Sequence, residues 1–124
     1  MMVVRSLVSV VDDDESVRES LPDLLREFGF AAQTFSSAEE FLASHFVGKT
    51  SCLLLDVAMP GMSGLNLQRE LLVRCQHIPI VFITAQAEET VCPRVLALGA
   101  AACLGKPFSE SALLGALNAV LLYS

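Results

Sequence analysis

The chain has 124 residues, 53% of them hydrophobic, which suffices for one buried core and leaves no room for a second globular domain, so residues 1–124 are expected to form a single unit. Its 8 Lys and Arg against 14 Asp and Glu give a formal net charge of −6 and no basic stripe, so direct nucleic-acid binding by this segment is not expected. Polar residues break every apolar stretch well short of the roughly 18 positions that a membrane span needs. The Met1-Met2-Val3-Val4-Arg5 start lacks the basic segment and apolar core of an export signal, which leaves the cytoplasm as the expected compartment.

Short β-branched apolar runs alternate with longer amphipathic stretches, the mark of a parallel sheet covered by helices on both faces. The first run, Leu7 to Val11, is apolar except for Ser9 and stops at Asp12. From Asp14 onward Val17, Leu21, Leu24, Leu25 and Phe28 recur at helical spacing, with Pro22 inside the helix as a possible bend and Gly29 as its left-handed stop. A weaker strand, Ala31 to Phe35, precedes Ser36, Ser37, Glu39 and Glu40, which form a capping-box pattern for a short helix to about Ser44. After a loop around Gly48, Cys52 to Leu55 makes the third strand, ending at Asp56. The turn Met59-Pro60-Gly61-Met62-Ser63-Gly64 leads into a third helix marked by Leu67, Leu71 and Leu72. Ile80 to Ile83 is a fourth strand closed by Thr84, and a fourth helix from about Glu88 to Leu98 stops at Gly99. Ala102 to Leu104 is the last strand, followed by Gly105-Lys106-Pro107, and Ser109 caps a final helix to Leu122. That helix is apolar over more than one stripe (Leu113, Leu114, Leu117, Val120, Leu121, Leu122), which suits either packing on the sheet or a partner surface.

The cysteines, Cys52, Cys75, Cys92 and Cys103, are widely spaced among apolar neighbours and read as buried, reduced thiols. His45 and His77 have no ligand-spaced partner and read as ordinary surface or packing residues.

In an open parallel sheet the residues just past the strands gather on one edge, where such folds bind ligands. Here that edge holds Asp12, Asp13, Asp56, Thr84 and Lys106. Crowded carboxylates raise one another's pKa unless they share a cation. An all-oxygen donor set with open positions suits Mg²⁺, or Mn²⁺. The chemistry this supports is phosphoryl transfer to a carboxylate, with the metal and Lys106 neutralising the equatorial oxygens and the Thr84 hydroxyl bonding the group once it has arrived. Asp14 reads as a helix cap rather than a ligand.

The segments Val10-Val11-Asp12-Asp13-Asp14, Leu54 through Gly64, Ile83-Thr84-Ala85, Leu98-Gly99-Ala100 and Lys106-Pro107-Phe108, in this order and each at a strand or helix end, resemble the receiver domain of two-component response regulators. The resemblance spans nearly the whole chain. It implies a flavodoxin-like (βα)5 fold, an α/β/α sandwich with parallel strand order 2-1-3-4-5. It further implies Asp56 as the phosphorylation site, Asp13 as a direct metal ligand, Asp12 as a ligand acting largely through water, and the Ala58 carbonyl as the remaining protein ligand. Thr84 and Lys106 would contact the phosphoryl group, and Lys106-Pro107 would be cis. The implied donor is a phosphohistidine on a sensor histidine kinase, and the implied dimer face is the fourth helix, fifth strand and fifth helix. The Ser36 to Leu42 segment is most similar to the subfamily that carries a helix-turn-helix output domain.

Two features depart from the family pattern. Cys103 stands where an aromatic residue usually follows the movement of the Thr, and Ala58 and Gln86 stand where residues flank the water that attacks in dephosphorylation. Two other functions compete. An aspartyl-nucleophile hydrolase or phosphotransferase would carry a second Asp at the Ala58 position. A receiver-like scaffold acting without phosphorylation would have lost one of the acidic pair, the acceptor or the Lys.

Overall fold

The computed structural model describes residues 5–85 and 91–121. Its strands are β1 (Leu7–Val11), β2 (Ala31–Phe35), β3 (Cys52–Asp56), β4 (Ile80–Thr84) and β5 (Ala102–Gly105), and its helices α1 (Glu15–Glu27), α2 (Ala38–Ala43), α3 (Gly64–Val73), α4 (Val91–Ala97) and α5 (Glu110–Leu121). Every strand pairing is parallel, and the sheet order is β2-β1-β3-β4-β5. The chirality of parallel crossovers then puts helices on both faces.

Residues of alternate parity along the strands feed two cores. Val8, Val10, Cys52, Leu54 and Val81 pack with Leu21 and Leu25 of α1 and Leu113, Leu117 and Val120 of α5. Val11, Leu53, Leu55, Ile80 and Phe82 pack with Phe41 of α2, Leu67 and Leu71 of α3 and Val95 of α4. The central strands β3 and β4 are buried at every position, which is why they read as unbroken apolar runs. Ser9, the polar residue inside β1, is fully buried and shares a 2.7 Å hydrogen bond with the Thr50 hydroxyl, which in turn donates to the Phe46 carbonyl.

The caps follow the side chains expected of them. Asp14 Oδ1 accepts from the Ser16 amide, Ser37 from that of Glu40, Ser63 from that of Asn66 and Ser109 from that of Ala112. The capping box of α2 is not reciprocal, since Glu40 accepts from the Ser36 hydroxyl rather than from the cap's own amide. Helix α1 runs through Pro22 without interruption, and Gly29 and Gly99 take the left-handed conformation after α1 and α4. The expected α4 start at Glu88 and the expected α5 end at Leu122 fall outside the described residues. Within α5, Leu113, Leu117 and Val120 are buried against the sheet while Leu114 and Leu121 are half-exposed.

The cysteine assignment needs correction. Cys52 is a buried free thiol, as expected. Cys75, however, is exposed, because it sits in the left-handed turn that ends α3, at φ 57°. Cys92 and Cys103 are joined by a disulfide between α4 and β5, with Cα atoms 5.5 Å apart, within bridging reach.

Candidate functional site

The sheet registers set the site. Val11 pairs with Leu55 and Asp56 with Ile83, so Asp12, one residue past β1, comes level with Asp56 at the end of β3. Thr84 pairs with Gly105, which brings Lys106 just beyond the end of β4. Backbone bonds extend the ladder past the strands, from the Asp12 amide to the Phe35 carbonyl (3.1 Å) and from the Lys106 amide to the Thr84 carbonyl (2.7 Å). The Lys106-Pro107 peptide is cis, as expected.

Around these strand ends lies an open cleft of about 400 Å³ lined by Asp13, Asp14, Asp56, Val57, Ala58, Thr84, Ala85, Val91 and Lys106. Asp12 lies beneath it, fully buried, and Asp56 is 6% exposed. Two contacts neutralise and orient Asp12: its Oδ2 accepts from Lys106 Nζ at 2.8 Å and its Oδ1 accepts from the Asp14 amide at 2.9 Å. Arg18 Nη1 donates to the Asp12 carbonyl at 2.9 Å, a contact the helical periodicity of α1 does not reveal.

Carboxylate oxygens of Asp12, Asp13 and Asp56 lie within 4.8 Å of one another. Like charges at such a separation repel by roughly 3 kcal/mol at an effective dielectric of about 20. Burial first, then the charge of Asp12, push the Asp56 carboxyl up to about 7, while Lys106 acts in the opposite sense. Lys106 itself is drawn down by burial, yet its hydrogen bond to Asp12 and the charges of Asp12, Asp56 and Asp14 hold it above its usual value. Asp14 is different. It is exposed, and its bonds to the Ser16 hydroxyl and amide hold its carboxyl below the usual range, as befits a cap.

The donor set therefore fits a small divalent cation: oxygen-only, partly buried, and with more negative charge than Lys106 balances. Asp12, Asp13 and Asp56 are the one such group among the described residues. His45 and His77 are exposed and outside it; His45 stacks against Phe46, ring centroids 4.2 Å apart.

Two glycines shape the loop after β3. A side chain at Gly64 would strike the Asp56 carbonyl oxygen and come within 3.1 Å of Phe82 and of the Val57 backbone, so α3 can start against the end of β3 only from a glycine. The Gly64 amide donates to the Val57 carbonyl at 3.0 Å. Gly61, at φ 75°, faces Glu39 of α2, whose carboxylate accepts from the Met62 amide at 3.4 Å. Sequence patterning pointed to the turn but not to its tie to α2.

A family model described as the response regulator receiver domain matches residues 8–118. The chain belongs to this family. Among curated proteins, this receiver domain is 44% identical over 115 residues to Nodulation protein W of Bradyrhizobium diazoefficiens, covering 93% of the chain and 51% of that protein. It is 40% identical over 116 residues to Response regulator protein TodT of Pseudomonas putida, covering 94% of the chain and 51% of that protein. The chain thus spans about half the length of the curated relatives it matches. Among solved structures, the response regulator StyR superposes with a TM-score of 0.87 at 46% identity, covering 97% of this chain and 61% of that one. The FixJ-N crystal structure gives 0.82 at 34% identity, covering 94% and 93%. The flavodoxin-like fold and strand order expected from the resemblance are those observed.

The receiver's Gln86 lies outside the described residues. Ala58 is exposed on the cleft wall, and Thr84 is 7% exposed at the end of β4. At the position of the usual aromatic residue there is no free thiol, since Cys103 is bonded to Cys92.

Proposed function

We propose that Asp56 is the phosphoacceptor of this receiver domain and that a sensor histidine kinase, in the cytoplasm, supplies the phosphoryl group. The observation that carries this assignment is the convergence of three carboxylates within 4.8 Å around a side chain that burial has made costly to ionise, with Lys106 bonded into the cluster. Asp12, Asp13, Asp56 and the Ala58 carbonyl would hold Mg²⁺, with Mn²⁺ as a substitute; such an ion would neutralise the acidic cluster and polarise the incoming phosphoryl oxygens.

The chain's own residues do the rest. Asp56 presents a carboxylate oxygen to the open cleft for in-line attack. Lys106, anchored on Asp12, supplies a fixed positive charge beside the equatorial oxygens, so little reorganisation is needed as charge builds. Thr84 offers its hydroxyl to the phosphoryl group after transfer, a contact that distinguishes the two states and so can bias a conformational equilibrium. The face made by α4, β5 and α5 is the proposed dimer surface and output of that bias. The domain as a whole acts as a switch that makes and hydrolyses its own acylphosphate, within residues 1–124.

The test is intact mass after incubation with acetyl phosphate and Mg²⁺. Wild type should gain one phosphoryl group and Asp56→Asn none. Equal labelling of both would reject Asp56. Analytical ultracentrifugation with and without a phosphoryl mimic tests the dimer surface, and an unchanged mass rejects it.

A further inference from the structure

The Cys92–Cys103 disulfide is not part of the phosphoacceptor chemistry, yet it joins two walls of the same cleft. Cys92 is the second residue of α4, next to Val91, which lines the cleft with Thr84 and Lys106. Cys103 pairs with Phe82 in the ladder, two residues before the Thr84–Gly105 pair and three before Lys106. The bond spans 11 positions and ties the described part of α4 to the middle of the edge strand.

The four cysteines also differ in chemical access. Cys52 is fully buried in the central strand, and burial pushes its thiol up to about 12, so it is inert to thiol exchange. Cys75 is exposed but at the far end of α3, with no cysteine beside it. Cys92 and Cys103 are half-exposed, on α4 and on an edge strand whose four residues are all partly open to solvent. A disulfide in a chain of this family would stand in a reducing compartment, where such bonds are transient and sensing rather than structural.

We propose that Cys92 and Cys103 form a reversible thiol–disulfide site, reduced by a dithiol protein of the thioredoxin class, that gates the coupling between the acidic cleft and the α4–β5 face. A thiolate of the reductant attacks one sulfur of the pair, giving a mixed disulfide and one free protein thiol; the second reductant thiol then displaces the other. Two electrons and two protons pass to the protein, leaving two thiols there and one disulfide in the reductant. Glutathione disulfide reverses the step, taking the same two electrons and two protons to give two glutathione thiols.

While the bond is intact, the Cα atoms of residues 92 and 103 stay within the narrow range that a disulfide spans, which restrains α4 at residue 92 against β5. A change that starts at Thr84 then cannot pass to the outer face by displacing α4. Reduction releases that restraint. The redox site stands on the disulfide itself, while its effect on coupling rests on the phosphoacceptor assignment.

The test separates the two. The full chain is equilibrated with excess glutathione disulfide or with dithiothreitol, denatured, treated with a maleimide and weighed intact. No more than two labels are expected in the oxidised sample, Cys75 being open to capping by glutathione, and four in the reduced one, with a 92–103 linked peptide in the oxidised sample only. Four labels in both would overturn the site. Each native form is then given beryllium fluoride with Mg²⁺, a phosphoryl mimic, and amide hydrogen exchange is followed in α4 and β5. The reduced form should show a change in exchange rate at least fivefold larger than the oxidised form, and Cys92→Ser should respond like the reduced form under both conditions. Equal responses of oxidised and reduced wild type would overturn the gate whether or not the variant folds. No response in either form, with a normal acetyl phosphate adduct on Asp56, also overturns the gate; no response and no adduct overturns it together with the phosphoacceptor assignment.

Discussion

Two clefts of similar size lie at opposite ends of β4, one of about 400 Å³ beyond its carboxyl end and one of about 340 Å³ before its amino end. The first gathers Asp13, Asp56, Thr84 and Lys106; the second is walled by Leu71, Leu72, Ile78, Pro79, Ile80 and Leu98, with Gln68 and His77 as polar neighbours. Volume does not separate them. What separates them is that parallel strands deliver their following residues to one edge only, so charge converges at the first and apolar packing is left at the second.

The largest contrast is expected from Lys106→Ala, which should slow labelling by acetyl phosphate on the order of 10²–10³-fold, the usual loss for one fixed charge at a transition state. Single-turnover mass spectrometry measures it. A rate within twofold of wild type would put the two clefts on an equal footing. At the opposite cleft, Leu71→Ala removes a side chain that is 2% exposed and should destabilise the fold by roughly 2–5 kcal/mol, read from urea unfolding. Its labelling rate per folded molecule should stay at the wild-type value.

A smaller effect concerns pH. Asp56 ionises near 3.8 when unfolded and at about 7 in the folded cleft. The folded state therefore binds a proton that the unfolded chain has released, and stability without metal falls as pH rises from about 4 through about 7. The full shift would correspond to about 4 kcal/mol, but the cleft is open to solvent and salt, and roughly 1–2 kcal/mol is expected. Metal-free melts at pH 5.5 and 8 test the sign, with Asp56→Asn flattening the difference and Mg²⁺ stabilising more at the higher pH. A melting point that rises toward pH 8 in the metal-free wild type would contradict the crowded cluster. Asp14 has the opposite sign but acts only at lower pH, where its depressed carboxyl takes up its proton. Smaller still, Ser37→Ala should cost about 1 kcal/mol through loss of the α2 cap, and Arg74→Ala under about 0.5 kcal/mol, since its 2.9 Å pair with Glu70 is exposed. Both are read from thermal melts, and neither should alter labelling.

Much of this was legible in the chain. Strands β3 and β4 are buried on both faces, so their apolar runs mark them without ambiguity, and each extends one residue past its apolar run because the polar Asp56 and Thr84 still take part in the ladder. The gathering of Asp12, Asp13, Asp56, Thr84 and Lys106 at one edge was legible because topology, not side-chain detail, brings them together. What local patterning does not carry is contact between distant segments. The Cys92–Cys103 bond depends on which way β5 presents residue 103 and on where α4 begins, and an apolar neighbourhood suggests burial for either cysteine alone. The Glu39 contact with the loop after β3 and the Arg18 contact with the Asp12 carbonyl likewise join separate elements. At Cys75 a helix-ending turn outweighs the apolar character of its neighbours, so this thiol is exposed rather than buried.

The bond between Lys106 and Asp12 joins positions 94 apart in the chain and reaches from the end of β5 to the end of β1, with β3 and β4 between them. The first four strands carry all three aspartates of the cluster, while the cation bonded to Asp12 follows the fifth. The cation that completes the acidic cluster is thus supplied from beyond the last strand of the sheet, and a receiver cut before residue 106 should be labelled by acetyl phosphate as slowly as Lys106→Ala.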